Sequence, residues 1–122
     1  MYAIGVKDGS RPNACIANTV MQSSKATPSD AALVAVALSK ENYSCQCVEQ
    51  EGIFSISVLS QDTPATVIGA LGFVSGRGVD KLGNIRHKVL IEGVPVIKEN
   101  TCCWFLCRVK DRMETQGRVV FT

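Results

Sequence analysis

The pattern of apolar and polar positions predicts a chain built mainly from short β-strands. Residues 54–59 alternate apolar with small polar side chains, which is typical of a strand with one buried face. That face is predicted to consist of Phe54, Ile56 and Val58. Residues 31–38 are continuously apolar, which favours a central strand covered on both faces. Further strands are predicted at residues 2–7, 14–21, 89–92, 94–97, 101–109 and 118–121, with the first two joined as a hairpin.

Two short helices are predicted between these strands. The Ser39 hydroxyl is suited to cap the first helix, Glu41 places an acid in its first turn, and Gly52 ends it. The second helix begins where Thr63 precedes Pro64, because proline is favoured at the first helical position. A closed or split barrel accommodates many short strands in so few residues, because closure removes exposed sheet edges. The expected fold is therefore mainly β, with short helices between strands.

Length, charge and apolar runs limit the classes of function. A chain of 122 residues has the size of one domain, so residues 1–122 are interpreted as a single domain. A net charge of +2 provides no long-range field for nucleic acid or anionic lipid. The longest apolar run, residues 31–38, is far shorter than the about 20 residues that span a membrane. The first twenty residues lack the apolar segment of a secretory signal, so we expect a cytoplasmic protein without nucleic-acid or membrane partners.

Neither hydrolytic catalysis nor metal binding is supported by the residues present. His87, the single histidine, lies between Arg86 and Lys88, where a solvated basic turn is expected rather than a catalytic triad. The six cysteines include no Cys-x-x-Cys pair of the kind that zinc and iron–sulfur sites use. Reduced thiols are expected, several of them small buried hydrophobes, and redox sensing stays open. We therefore predict no catalytic acid–base pair and no metal site.

Two segments are suited to bind a phosphate group. At the start of the first predicted helix, backbone N–H groups and the positive end of the helix dipole accompany the side chains of Ser39, Asn42 and Ser44. The alternative is that these residues only cap the helix. The second segment combines permissive glycines with two cations, and its alternative is a solvated basic loop. It comprises Ser75, Gly76, Arg77, Gly78 and Lys81.

Four segments in order carry a resemblance to a known family. They are residues 13–20, 37–44, 54–59 and 72–77, the last followed by Asp80 and Lys81. The arrangement resembles the flavin reductase-like FMN-binding split barrels, among them the flavoredoxins and the flavin domain of high-molecular-weight rubredoxins. The resemblance implies a six-stranded split barrel that forms a homodimer and holds one FMN per subunit at or near the interface.

The resemblance also assigns roles to individual residues. It implies that Asn18, Thr19 and Val20 line the flavin ring. It implies that Ser39, Asn42 and Ser44 hold the phosphate. A second clamp on the phosphate or ribityl side is implied for Ser75, Gly76, Arg77 and Lys81.

Two functions follow from the resemblance. The first is an oxidoreductase of the flavin reductase type that takes electrons from NAD(P)H or a reduced protein. The alternative is an FMN electron carrier without its own NAD(P)H turnover. A flavin-free structural or interaction barrel is a third class. Family members carry a histidine just before the last long strand, whereas residues 113–118 of this chain contain none.

Overall fold

Short strands and two helices alternate along the chain, as the sequence pattern predicts. The computed structural model describes residues 1–24, 32–72, 82–83, 85–98 and 101–122. Its elements are β1 (Tyr2–Asp8), β2 (Arg11–Ala17), β3 (Val20–Ser24), β4 (Leu33–Ser39), α1 (Tyr43–Glu51), β5 (Ile53–Leu59), α2 (Ala65–Gly72), β6 (His87–Val89), β7 (Pro95–Ile97), β8 (Thr101–Arg108), β9 (Arg112–Thr115) and β10 (Arg118–Phe121).

The strands form two four-stranded antiparallel sheets and a hairpin. The first sheet has the order β2-β1-β5-β8, the second has the order β3-β4-β10-β9, and β6 pairs with β7. The chain therefore crosses from the first sheet to the second between β2 and β3. Strand β4 lies inside its sheet between β3 and β10, as predicted. Only one of its faces is fully buried, through Val36 and Leu38, while the other face is half-buried.

Two apolar clusters hold these layers together. The larger cluster joins the inner faces of both sheets to α1, with Phe54 and Phe121 among its largest buried side chains. The smaller cluster covers the opposite face of the first sheet, where Val67 and Leu71 of α2 are buried. The first sheet is therefore buried on both faces near β1, and it forms the middle layer.

Strand β5 departs from the expected one-sided burial. Ser55 and Ser57 are as fully buried as Phe54. The Ser57 hydroxyl accepts a hydrogen bond from the Ile97 N–H at 3.0 Å, and the Ser55 hydroxyl donates to the Pro95 carbonyl. The prediction of one solvent-facing side was wrong because β7 packs over it and supplies partners for both hydroxyls.

Strand boundaries near the chain start also differ from the prediction. The hairpin of β1 and β2 is present, but β2 already begins at Arg11, opposite Asp8. The predicted strand 14–21 is interrupted at Asn18 and Thr19 and continues as β3 in the other sheet. The break falls at two consecutive polar residues, Asn18 and Thr19, which the prediction had included in a single strand.

The predicted strand at 89–92 and the predicted turn at His87 were both wrong. His87 begins β6, with Nδ1 at 2.7 Å from the Ile85 carbonyl oxygen. The chain turns at residues 90–93 instead, where the Gly93 N–H donates to the Leu90 carbonyl at 2.9 Å. Gly93 has φ +92°, a value that favours glycine.

Strand β9 was missed because all four of its residues are exposed and carry no apolar periodicity.

Helix α2 begins at Ala65, directly after Pro64, and the Thr63 hydroxyl donates to the Ser60 carbonyl at 2.8 Å. Among the residues that the structure describes, no helix is long and apolar enough to cross a membrane.

Candidate functional site

Asn18 and Thr19 form an exposed corner between the two sheets. They connect β2 of the first sheet to β3 of the second, and both are exposed. The Thr19 carbonyl accepts a hydrogen bond from the Ala37 N–H at 3.1 Å. The next residue, Val20, is half-buried and pairs with Val36 of β4. The corner is therefore fixed against the last part of β4.

Ser39 lies at the same end of the second sheet. It is the exposed last residue of β4 and stands two residues beyond Ala37, about 7 Å along the strand. Its carbonyl accepts a hydrogen bond from the Asn42 N–H at 3.0 Å, which leads the chain into α1. The structure thus brings the predicted ring-lining corner next to the first predicted phosphate residue.

The first helix begins three residues later than predicted. Asn42, not Ser39, is the N-cap: its backbone is extended and its side-chain oxygen accepts from the Ser44 N–H at 2.9 Å. Ser39 cannot cap because it is still paired with Arg118 in the sheet. Glu41 therefore precedes the helix rather than lying in its first turn. The predicted end was right, since Gly52 closes α1 with φ +71°.

The three predicted phosphate residues differ in exposure. Ser39 is exposed, Asn42 is half-buried, and Ser44 is buried with 2% of its surface accessible. Because the Asn42 side-chain oxygen is used by the cap, its amide N–H groups are what it can offer a ligand. Ser39 and Asn42 are thus the members of this set that reach the surface.

Two cations near Ser39 were missed by the sequence reasoning. Arg118 of β10 is directly opposite Ser39, so the two side chains share one face of the sheet with Cβ atoms about 5 Å apart. Both side chains are exposed. Lys40 is exposed as well and forms an ion pair with Glu114 of β9. Arg118 is far from Ser39 in sequence, and only the strand register brings them together.

A tyrosine fixes the start of α1 to the end of β1. The Tyr43 hydroxyl donates a hydrogen bond to Asp8 Oδ2. That hydrogen bond, followed by burial, raises the pKa of Tyr43 to about 12. A neutral tyrosine therefore anchors the first turn beside the candidate phosphate residues.

The cysteines divide into buried and exposed groups. Cys15, Cys45 and Cys47 are buried in the larger core cluster, and burial raises the pKa of Cys45 to about 11. These three agree with the expectation that several cysteines are small buried hydrophobes, whereas Cys102 and Cys103 are exposed on β8. Within the described ranges, no group of three or more potential ligands is placed to hold a metal ion.

The second predicted clamp lies beyond the described chain. Ser75, Gly76, Arg77 and Lys81 are all outside the described residues. The last residue before them, Gly72 of α2, is close to β2: a Cβ placed on it would lie 3.4 Å from the Cβ of Ile16. Ile16 is two residues before Asn18, so α2 ends near the exposed corner.

Comparisons with known proteins cover the whole chain. A family model described as the flavin reductase like domain matches residues 1–122. High molecular weight rubredoxin from Moorella thermoacetica is 31% identical over 121 residues, which span 99% of this chain and 51% of that protein. Ferric-chelate reductase (NAD(P)H) from Archaeoglobus fulgidus is 32% identical over 121 residues, spanning 99% of this chain and 69% of that protein.

A solved structure extends the comparison to the fold. Flavoredoxin from Methanosarcina acetivorans matches with a TM-score of 0.82 and 21% identity, covering 98% of this chain and 62% of that one. At this identity the likeness shows the fold, which is the split barrel of the flavin reductases, as predicted. The chain spans about half the length of the Moorella rubredoxin.

Proposed function

Because this chain belongs to the flavin reductase-like domain family, we propose that it binds FMN and is an oxidoreductase of the flavin reductase type. The proposed electron donor is NAD(P)H or a reduced protein. One observation carries the proposal: the hydrogen bond between Thr19 and Ala37 places the ring-lining corner beside Ser39. Residues that the resemblance assigns to two parts of one ligand are therefore neighbours in the fold.

The side chains at this place fit a flavin nucleotide. The amide of Asn18 and the hydroxyl of Thr19 are neutral and exposed, which suits the polar edge of a flavin ring with its donors and acceptors. Val20, half-buried beside them, offers an apolar contact. Cationic and dipolar groups surround Ser39, and those are the groups that bind phosphate.

The phosphate end is proposed to use both predicted and newly found residues. Ser39 and the Asn42 amide would donate hydrogen bonds, with Ser44 supporting the first turn from the interior. Arg118 and Lys40 would supply positive charge, although Lys40 shares its charge with Glu114. Ser75, Gly76, Arg77 and Lys81 stay proposed as a second clamp, on sequence grounds.

In the proposed reaction, the flavin would carry the electrons and the protein would bind and orient it. A bound flavin would supply hydride or single-electron transfer. The residues of the corner would orient the ring and exclude water from one of its edges. Backbone N–H groups near the ring would offset the negative charge that reduction leaves there, and the start of α1 would offset the charge of the phosphate, so no acid–base pair is required.

A carrier without NAD(P)H turnover is the second candidate. Similarity to a protein named ferric-chelate reductase (NAD(P)H) favours a nicotinamide donor. Similarity to a protein named high molecular weight rubredoxin favours exchange with an iron protein. In either case we propose a homodimer, as the resemblance implies, and a cytoplasmic location.

The test is an absorption spectrum of the purified protein mixed with FMN, followed by anaerobic reduction. Bound flavin that NADH or NADPH bleaches rapidly supports the reductase. Bound flavin that is bleached only by a reduced iron protein supports the carrier. A protein that takes up no FMN contradicts both and leaves the flavin-free barrel.

A further inference from the structure

Strand β8 presents aromatic side chains to solvent on both of its faces. Trp104 is 44% exposed and Phe105 is 52% exposed, and neighbouring residues of a strand point to opposite faces. Their partners across the ladder, Ser57 and Ile56 of β5, are each 1% exposed. Cys107 of β8 still packs against the larger core cluster, but the middle of the strand, at Trp104 and Phe105, extends past the core with both faces exposed.

The outer edge of β8 is also uncharged. Among the described strands, β8 pairs with β5 and is the last strand of its sheet. Its eight residues contain one charge, Arg108, at the final position. Soluble proteins normally protect such an edge with charged residues, proline or a bulge, because an apolar edge recruits another strand. The ladder with β5 is irregular only at its start, where Cys102 is an extra residue between the partners of Val58 and Leu59. Residues 103–107 lack all of these features, and that part of the strand is suited to be covered.

We propose that β8 pairs in antiparallel orientation with β8 of a second copy of the chain, so that the two first sheets become one continuous sheet. This inference rests on the homodimer of the proposed function and assigns the surface that forms it. We choose a second copy of the chain as the partner because β8 can pair in antiparallel orientation with an identical strand. With its one charge at the end, self-pairing brings no like charges together, and a net charge of +2 opposes association only weakly.

Symmetry restricts the register of this pairing. A two-fold axis perpendicular to the sheet keeps each face on its own side, so only residues of the same face can lie opposite each other. An axis at Phe105, the most exposed large apolar residue of the strand, places Phe105 against its own copy. Cys103 then lies opposite Cys107 of the partner subunit.

In that register, a disulfide bond between Cys103 of one copy and Cys107 of the other can form, and detecting it would identify this pairing. Directly opposite residues have Cα atoms about 4.5 to 5.5 Å apart, which is within disulfide range. Within one strand, Cys103 and Cys107 are four residues apart, about 13 Å, so they cannot bond to each other. Any Cys103–Cys107 disulfide in folded protein must therefore join two copies.

The first experiment measures the mass in solution of wild type, Phe105→Lys and Met113→Lys by light scattering. Met113 is the matched control, since it is 59% exposed on the edge strand of the other sheet. We expect a dimer for wild type and Met113→Lys and a monomer for Phe105→Lys. A wild-type monomer, or a Phe105→Lys protein that stays dimeric, overturns the proposal.

The second experiment avoids any effect of lysine on folding. Diamide oxidises the Cys103 and Cys107 thiols; one S–S bond forms, and two electrons and two protons reduce the diamide to its hydrazine. We expect covalent dimers in non-reducing gels for wild type and Cys102→Ser, and none for Cys103→Ser or Cys107→Ser. A dimer that forms no such bond, or forms it without Cys103, contradicts this register.

FMN absorbance recorded on the same wild-type samples separates the two proposals. A dimer that takes up no FMN contradicts the proposed function and supports the β8 pairing. A monomer that takes up FMN contradicts the pairing and the proposed homodimer and supports the proposed flavin binding.

Discussion

The two sheets of this protein end in outer strands of opposite character. Strand β8 ends the first sheet with exposed aromatic side chains and no charge before Arg108. Strand β9 ends the second sheet with charged residues that are tied to their surroundings: Arg112 pairs with Glu49 of α1, and Glu114 pairs with Lys40. Two edge strands can thus be equally exposed and still differ in function. The chemistry of their side chains indicates which kind of partner each one binds.

The contrast separates two tasks of the surface. The β9 end is close to Ser39 and Arg118, where polar and cationic groups suit a phosphate. The β8 end offers apolar area on both faces and suits another protein surface. We therefore expect the charged edge at β9 to lie near the bound ligand and the apolar edge at β8 to contact the partner subunit.

The strongest expected effect on the ligand comes from Arg118. Arg118→Ala removes a cation facing Ser39, and loss of a charged hydrogen bond of about 1.5 to 3 kcal/mol lowers FMN affinity about tenfold to a hundredfold. The control is Arg108→Ala, an exposed arginine at the end of β8. Fluorescence titration should show unchanged FMN affinity for the control. Equal losses in the two variants would remove the distinction between the edges.

A smaller loss is expected from Ser39→Val. The hydroxyl is neutral, so its hydrogen bond of about 0.5 to 1.5 kcal/mol corresponds to about twofold to tenfold weaker FMN binding. Riboflavin, which lacks the phosphate, should bind with unchanged affinity in the same titration. If both ligands lose affinity together, Ser39 does not contact the phosphate.

The smallest effect concerns stability at high pH. The pKa of Tyr43 is raised to about 12 in the folded protein, so its hydrogen bond to Asp8 stabilises the fold below the ordinary tyrosine pKa and is lost as pH rises through about 12. The stability difference between wild type and Tyr43→Phe should therefore shrink from about pH 9 to about pH 12 in urea unfolding. Adding Asp8→Asn to Tyr43→Phe should not change the pH dependence of the free energy of unfolding any further. If the stability difference between wild type and Tyr43→Phe does not depend on pH, Tyr43 does not have this role.

The sequence predicted most of the strands and helices but not which of them pack against each other. Apolar periodicity located β1, β4, β5 and β10, because their side chains pack against the core. It located β8 as well, although most of that strand is exposed. It could not show that Ser55 and Ser57 are buried, since their burial depends on partners in β7 far along the chain. Nor could it show β9, whose four exposed residues include only one apolar side chain, Met113, and so have no pattern to detect.

The candidate site was predictable only as separate segments. Asn18 and Thr19 were identified from a resemblance, and Ser39 was identified first from a predicted helix start. Their adjacency is a product of the pairing between β3 and β4. Asn42 was expected as a phosphate donor, yet local capping uses its oxygen first. Arg118 stayed hidden because cross-strand neighbours leave no trace in spacing along the chain. The exposure of β8 was hidden as well, since its sequence looks like that of a buried strand.

The most direct test of the central claim is a parallel titration of the purified protein with FMN and riboflavin, followed by flavin fluorescence. The claim is that the Ser39 end of the second sheet holds a flavin nucleotide by its phosphate. The account predicts saturation at one FMN per chain and much weaker binding of riboflavin. Equal affinity for the two flavins, or no binding of either, would contradict it.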